Sequence, residues 1–403
     1  MPVAALLLFS AALVGLLALA VQLVLVLRHR PSPGHALPHS ETSPGISILK
    51  PLCGVDDDLE ANLEQFATLD YPHYEVILGV KDMRDPAYAL ARMAVARWPH
   101  VMKLALQEGE PGLNPKVNQL ITLSAEAQHG LWVISDSNVR VAPGYLREIA
   151  EGFEDPDVGC VTHPIAGIGE RTVGSLMDNL HLASSAAAGV IAAKRLADKD
   201  IVVGKSMALR REDVEALGGF FSVKDVLAED FVIGQWITRK LSKRVVVART
   251  PVFNVSLNKR VGDFFKRYVR WSVIHHMSVS TPTYVAQGLL NPAPLALLAA
   301  LLEPSPESFT AAGAVALLKA LLDLTVFRAL RPEPVSWSAV PVVFLKDALL
   351  FVAWCNGLFS RTVQWRGTRL RVLAGTRLAA AMAPRHPPLA PSDVGAREEL
   401  LAG

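Results

Sequence analysis

Four apolar residues, Leu131-Trp132-Val133-Ile134, run directly into Ser135-Asp136-Ser137-Asn138. An unbroken apolar run of this length fits a strand buried on both faces, and such strands belong to sheets covered by helices. Sheets of that kind bind ligands beyond the carboxyl ends of their strands. This puts Asp136 and Asn138 at such an edge. Asp136 offers hard oxygen ligands and Asn138 a neutral carbonyl. Two such groups, two positions apart, suit Mg²⁺ or Mn²⁺ held mainly by the phosphates of a substrate. The same polar residues also suit an Asx-type turn, and the stretch alone does not separate the two readings.

The surroundings extend the pattern. From residue 45 to about 257, apolar runs predict strands at 46–49, 75–80, 102–106, 131–135, 158–162, 202–209 and 244–247. Helical spacing falls between them at 57–68, 86–97, 116–128, 143–153 and 230–240. Alternation of this kind predicts an α/β fold with a mostly parallel sheet and helices on both faces. No internal repeat is visible.

The flanks read differently. Hydrophobic residues make up 51% of the chain, which is high for an ordinary soluble protein. Residues 3–27 are broken only by Ser10 and Gln22, and Arg28-His29-Arg30 follow. The run exceeds the ~20 residues a spanning helix needs, and its positive charge comes after it. This predicts an uncleaved anchor over 1–30 with the following domain in the cytosol. Residues 31–44, rich in Pro, Ser and His, read as a linker. In 258–280, Lys259, Arg260, Lys266, Arg267 and Arg270 accompany Phe264, Tyr268 and Trp271, which share one helical face. That pattern suits an amphipathic helix in the headgroup region. Residues 281–360 hold the remaining apolar segments, 284–302, 309–326 and 335–359. Lys319 and Asp323 are spaced to pair within the second. Lys346-Asp347 interrupt the third, and a full crossing would leave Arg361, Arg366, Arg369 and Arg371 outside, so an interfacial or re-entrant helix is expected there. Residues 361–403 are expected to form a basic cytosolic tail, disordered from 382. The net charge of +2 gives no general attraction to nucleic acid, and Cys53, Cys160 and Cys355 form no zinc spacing.

Several charged residues stand at ends of apolar runs or at helix starts: Asp82 after 76–81, Asp136 after 131–135, Glu229-Asp230 before 231–240, and Arg267 with Arg270-Trp271 in the basic helix. Singly, each has a plain alternative as a strand end, a helix cap or a lipid contact. Their order resembles family-2-like nucleotide-sugar glycosyltransferases, which carry Asp, an Asp-x-Asp-like motif, Glu-Asp and (Gln/Arg)-x-x-Arg-Trp in that sequence. The resemblance narrows to the ceramide glucosyltransferase family. Ile48-Leu49-Lys50-Pro51-Leu52-Cys53-Gly54-Val55-Asp56 looks like its ILKPLxGVD, and Leu69-Asp70-Tyr71-Pro72 with Tyr74-Glu75-Val76 like its LDYPxYEV. Leu113-Asn114-Pro115-Lys116-Val117-Asn118 looks like its INPKxNN. Val203-Gly204-Lys205-Ser206-Met207 and Arg210-Arg211-Glu212-Asp213-Val214 resemble its VTGxSxLxRKDVL.

That resemblance implies a GT-A-type, Rossmann-like catalytic domain at 45–257 and UDP-glucose as donor. Asp82, Lys116, Asn118, Glu229, Arg267, Arg270 and Trp271 would bind the donor. Asp136 and Asn138 would hold Mn²⁺ or Mg²⁺, and Asp230 would be the general base. The acceptor would be the primary hydroxyl of ceramide, giving a β-glucoside by inversion at a membrane surface. High Ala, Leu and Arg content points to a bacterial inner membrane, with a Golgi membrane expected for a eukaryotic chain. Two departures stand out. Animal members carry His-Pro near Ala187-Ala188, and Asn138 is a weaker metal ligand than an acid. Diacylglycerol or a hopanoid as acceptor, a polysaccharide synthase, and an inert membrane scaffold remain alternatives. Residues 177–196, Ala-rich and apolar, read equally as an acceptor entrance or an ordinary buried helix.

Overall fold

A computed structural model describes residues 2–31, 43–365 and 368–380. The interior of the expected linker and the stretch expected to be disordered from 382 lie outside the described residues. The strands are β1 (Ile46–Pro51), β2 (Tyr74–Val80), β3 (Met102–Leu106), β4 (Leu131–Ser135), β5 (Val139–Arg140), β6 (Val158–Thr162), β7 (Ile165–Ile168), β8 (Ser206–Arg210), β9 (Arg244–Val247), β10 (Val252–Val255), β11 (Thr362–Trp365), β12 (Thr368–Val372) and β13 (Leu378–Ala380). The helices used below are α1 (Val3–His29), α2 (Leu59–Ala67), α3 (Ala87–Arg97), α4 (Pro115–Glu126), α5 (Tyr145–Gly152), α6 (Val173–His181), α7 (Ala188–Ala197), α8 (Arg211–Ala216), α9 (Glu229–Lys240), α10 (Val261–Ser278), α11 (Thr281–Ala286), α12 (Pro292–Leu302), α13 (Pro306–Ala329) and α14 (Val340–Phe359).

The central sheet has seven strands in the order β3-β2-β1-β4-β8-β6-β9. Its pairs are parallel except around β8, which runs antiparallel to both β4 and β6. Successive residues of a strand face opposite sides, and the core divides accordingly. Ile48, Val76 and Val133 pack with Phe66 and Tyr145 on one side. Leu49, Ile77 and Ile134 pack with Leu120 and Ile237 on the other. The near-continuous apolar runs of β1, β2 and β4 follow from that double burial.

The expected strand at 202–209 is shorter. Residues 202–205 form a loop and only Ser206 onward pairs. The apolar Val202 is buried by packing and not by a ladder, and Val203 is half-buried. A small second sheet, β5-β10-β7, is absent from the sequence reading because its strands are two to four residues long. The expected basic tail is likewise partly a sheet, β11-β12-β13. It docks on α10 through Val363, Leu370 and Val372 against Val273. It also bonds the loop that leads into α9. The Leu227 N–H donates to the Thr376 carbonyl (2.9 Å) and the Leu378 N–H to the Asp225 carbonyl (2.7 Å).

Among the described residues, three helices are long and apolar enough to cross a membrane: Val3–His29, Pro306–Ala329 and Trp337–Phe359. The third is a regular helix, and a break occurs instead in the first of the three segments expected over 281–360. Helices Thr281–Leu290 and Pro292–Leu302 meet at 82°. Pro292 removes an N–H and biases Asn291 away from helical backbone, so the bend has a local cause. Alpha12 alone, about 16 Å long at 1.5 Å per residue, is too short to span. The Lys319–Asp323 pair is present at 2.6 Å. The sequence did not place its partners. Lys346 and Asp347 of α14 complete a buried four-charge cluster, with Lys319–Asp347 at 2.5 Å, Lys346–Asp323 at 2.9 Å and Lys346–Asp347 at 2.7 Å. The charges that argued against α14 as a regular membrane helix are therefore neutralised inside the protein.

The bend is seated against α1. A Cβ at Gly15 would stand 1.9 Å from the Leu289 carbonyl oxygen. Gly15→Ala is therefore expected to cost about 1–3 kcal/mol through forced backbone shifts. Thermal unfolding in detergent checks it, against Gly189→Ala, whose Cβ would meet nothing within 4 Å.

One other expectation changes. The Phe264–Tyr268 face of α10 does not present itself to lipid. Both residues are buried, against Met177 of α6 and Ala353 of α14. Amphipathic spacing reveals an apolar face but not whether lipid or another helix covers it. The stretch 177–196 is helical and buried over most of its length, up to Ala192, as in the second of its two readings. Alpha6 passes through a π-helical turn, Leu182–Ala187, into α7, and its alanines pack on α13.

Candidate active site

The site grows from the direction of β8. Because β8 is antiparallel to β4, with Ser206 opposite Ser135, the loop entering β8 arrives where β4 ends. Gly204 and Lys205 thus lie beside Asp136. Alpha4 points its first turn at the same place. Asn114 caps it, its Oδ1 accepting from the N–H groups of Lys116 and Val117 (3.0 and 3.2 Å), and Pro115 takes the first helical position. The Asn114 amide also donates to Glu229 (3.1 Å), joining the starts of α4 and α9.

Lys116 is the hub. Its Nζ lies 3.0 Å from Asp136 Oδ1 and 3.1 Å from Glu229 Oε1, and it donates to the Gly204 carbonyl at 3.2 Å. The Gly204 N–H donates to Asp230 Oδ2 (2.6 Å), and the Phe231 N–H to Asp230 Oδ1 (2.8 Å). A Cβ at Gly204 would come within 2.8 Å of the Asp230 carboxylate and 3.0 Å of the Lys116 ammonium, so a larger residue here would displace both charged groups. Lys205 holds the other oxygen of Asp136 at 3.0 Å and donates to Asn138 Oδ1 at 2.6 Å. Lys50, fully buried, donates to Ser135 Oγ (3.2 Å) and to the Asp136 carbonyl (2.8 Å), fixing the strand end.

Charge follows position. Burial pushes the Asp136 carboxyl upward, but the ammonium groups of Lys116 and Lys205 outweigh it and hold it below its ordinary value. Asp230 goes the other way. Burial and the adjacent Glu229 outweigh Lys116 and push it up to about 6. Two carboxylates driven apart in this way fit distinct roles, one permanently charged and one able to accept a proton near neutrality.

Arg267 and Lys259 gather on Asp178 of α6, a fully buried acid. Arg267 Nη1 donates to both its oxygens (3.2 and 2.9 Å), Lys259 bonds one, and the Tyr268 hydroxyl donates at 2.9 Å. The Arg267 guanidinium stacks 4.7 Å from the Trp271 ring centre; burial lowers its pKa, and Asp178, helped by Tyr268 and Asp136, outweighs that and raises it. Arg270 follows one turn along α10.

Of the expected residues, Lys116, Asp136, Asn138, Glu229 and Asp230 therefore meet in one linked cluster, with Arg267 beside it. Asp82 lies at the same sheet edge, beyond the end of β2 and two strands from β4. Its carboxylate is partly exposed and accepts from the Arg84 N–H (2.7 Å). Asn118 takes a different part. Its amide bonds both backbone groups of Gly112 (3.0 and 2.9 Å) and shapes the loop before α4. Lys50, Lys205, Asp178 and Asn114 were missed as contributors. Lys205 stood inside a quoted motif, but at a variable position.

The profile described as Glycosyl transferase family 21 matches residues 7–378. The chain belongs to that family. Among curated relatives, ceramide glucosyltransferase 1 of Caenorhabditis elegans is 26% identical to this chain over 274 residues, 64% of this chain and 56% of that protein. Ceramide glucosyltransferase of Komagataella phaffii is 29% identical over 193 residues, 42% of this chain and 38% of that protein. The chain thus spans about half the length of the curated relatives it matches. The fold is GT-A. A solved mannosyltransferase from Pyrobaculum calidifontis, in complex with GDP-Man and Mn²⁺, superposes with a TM-score of 0.50 at 20% identity, covering 87% of this chain and 99% of that one.

Metal binding can be tested on the donor set. Among the described residues no three His, Cys, Asp or Glu side chains converge as a metal centre. Asp136 and Asn138 nevertheless converge on one cation, the Lys205 ammonium, which marks a seat that a cation fits. One carboxylate and one amide oxygen leave most of the coordination shell to a ligand such as a diphosphate.

Proposed function

We propose that this family 21 chain transfers glucose from UDP-glucose to the primary hydroxyl of ceramide or a closely similar membrane lipid, with inversion. The observation that carries the reading is the half-buried Asp230 carboxylate, raised to about 6 and tied through Gly204 and Lys116 to Asp136 at one sheet edge. The donor diphosphate lies on the cationic side of this cluster, facing Lys116, Lys205, Arg267 and Arg270, with Trp271 beside them. Asp82 holds the uracil or ribose at the outer end of the same edge. Glu229 keeps Lys116 in place from below. A divalent ion, Mn²⁺ or Mg²⁺, held by Asp136, Asn138 and the phosphates, would stabilise negative charge on the leaving UDP.

Asp230 takes the proton from the acceptor hydroxyl as that oxygen attacks the anomeric carbon. A single displacement turns an α-linked donor into a β-glucoside. The apolar helices explain the acceptor. A ceramide keeps its tails in lipid and brings only its hydroxyl to the cytosolic surface, so the catalytic domain meets it without extracting it. A bacterial inner membrane is the location that fits the composition.

Purified full-length protein in detergent, given UDP-glucose and a short-chain ceramide with and without Mn²⁺, tests this by mass spectrometry. The expected product is one hexose per ceramide. Long polymer, or glucose on diacylglycerol only, would overturn the assignment of the acceptor. No transfer to any lipid, with UDP-glucose bound, would overturn the reading as a whole.

A further inference from the structure

Lys205 occupies an unusual place. The antiparallel entry of β8 sets it at the end of β4, and its side chain is only 12% exposed. Its ammonium lies 3.0 Å from Asp136 Oδ2 and 2.6 Å from Asn138 Oδ1, so it bridges the two oxygens that a divalent ion would use. The orientation of Asn138 is fixed by a second bond, its amide donating to Asn254 Oδ1 at 3.2 Å, which turns the carbonyl toward Lys205. The other Asp136 oxygen is held by Lys116. A single carboxylate flanked by two ammonium groups offers little net attraction to a dication, and a dication in contact with Asp136 would stand a few ångströms from the Lys205 charge.

The two lysines differ in freedom. Lys116 is tied to Asp136, Glu229 and the Gly204 carbonyl. The bonds of Lys205 run to Asp136 and Asn138, the same two groups a metal would take from it. A lysine is a compact charge on a flexible stem, and a diphosphate arriving beside it is a stronger anion than one shared carboxylate.

We propose that Lys205 keeps the Asp136–Asn138 seat filled until a nucleoside diphosphate arrives, then passes to that diphosphate, so that donor and divalent metal enter together. This rests on the placement of donor and metal given above. Lys205 is then a resident cation, serving the carboxylate before the donor binds and the phosphate afterwards.

Electron paramagnetic resonance of Mn²⁺ titrated into detergent-purified full-length protein, with and without UDP, tests it. In the wild-type protein UDP is expected to tighten Mn²⁺ binding by about tenfold or more, as the carboxylate is released and phosphate ligands are added. Lys205→Met is expected to bind Mn²⁺ without UDP about tenfold more tightly than wild type, and to bind UDP without metal correspondingly less well. Lys205→Arg, which keeps the charge, is expected to behave as wild type. Equal Mn²⁺ affinity of wild type and Lys205→Met in the absence of UDP would overturn the proposal, as would tight UDP-independent binding by Lys205→Arg. Melting curves identify a misfolded variant, and Lys205→Gln then supplies the neutral comparison. The readout uses UDP and Mn²⁺ alone. Absence of sugar transfer would leave it standing, and an unchanged Lys205→Met would leave the transfer reading standing.

Discussion

Asp230→Asn is expected to lower kcat by about 10²–10⁴-fold while leaving UDP binding largely intact, because a general base contributes on that scale. The pH dependence should identify the group. Burial and Glu229 push Asp230 up to about 6, and the base works only when deprotonated. The kcat/KM of the wild-type protein should therefore climb as pH rises through about 6 and level off above it. The sign follows from the charge. Below that pH the carboxyl holds its proton and cannot take another, and above it the carboxylate is free. Residual activity of Asp230→Asn should lack the climb. If the same ascending limb survives in the variant, another group is the base. Amide substitution at this position keeps the side-chain shape, and its single oxygen can accept from one of the two N–H groups, Gly204 or Phe231, that the two carboxylate oxygens now hold.

The largest expected loss of stability lies far from this site. Asp323→Asn removes one of the two carboxylates that Lys319 and Lys346 share. All four side chains of the cluster are at most 3% exposed, so the variant leaves an excess positive charge between apolar helices. Breaking a buried pair on one side costs about 3–5 kcal/mol. A lower melting temperature in detergent and a lower yield of folded protein are expected. Asp323→Asn with Lys346→Met restores neutrality and keeps the Lys319–Asp347 contact at 2.5 Å. Recovery of most of the lost stability in the double variant would assign the effect to charge. Equal loss in both would assign it to packing.

The central sheet was legible because burial on both faces writes itself as apolar runs. Leu131-Trp132-Val133-Ile134 and 75–80 appear as strands almost to the residue. The pairing of Asp136 with Asp230 was legible only through the order of motifs. Their meeting depends on the direction of β8, and strand direction leaves no mark on composition. Lys205 was invisible for that reason, since its importance comes from where an antiparallel strand begins. The aromatic face of α10 and the charges of α14 failed for a second reason. Phe264, Tyr268, Lys346 and Asp347 are satisfied by partners on other helices, and a local reading assigned them to lipid or to the membrane surface instead. The short strands of the β5-β10-β7 sheet carry too few residues to show a period at all.

The sheet formed by β11, β12 and β13 has a bearing on how the protein is made. It is bonded to residues 225–228, immediately before the proposed base, through Thr376 and Leu378. Synthesis reaches these strands only after α10, α12, α13 and α14 have been produced. The backbone ahead of Asp230 thus receives its last support from the final described segment of the chain. A fragment halted at Phe359 would hold every acid and lysine of the cluster yet leave that loop without its brace. Competence is deferred until the apolar helices are already in place.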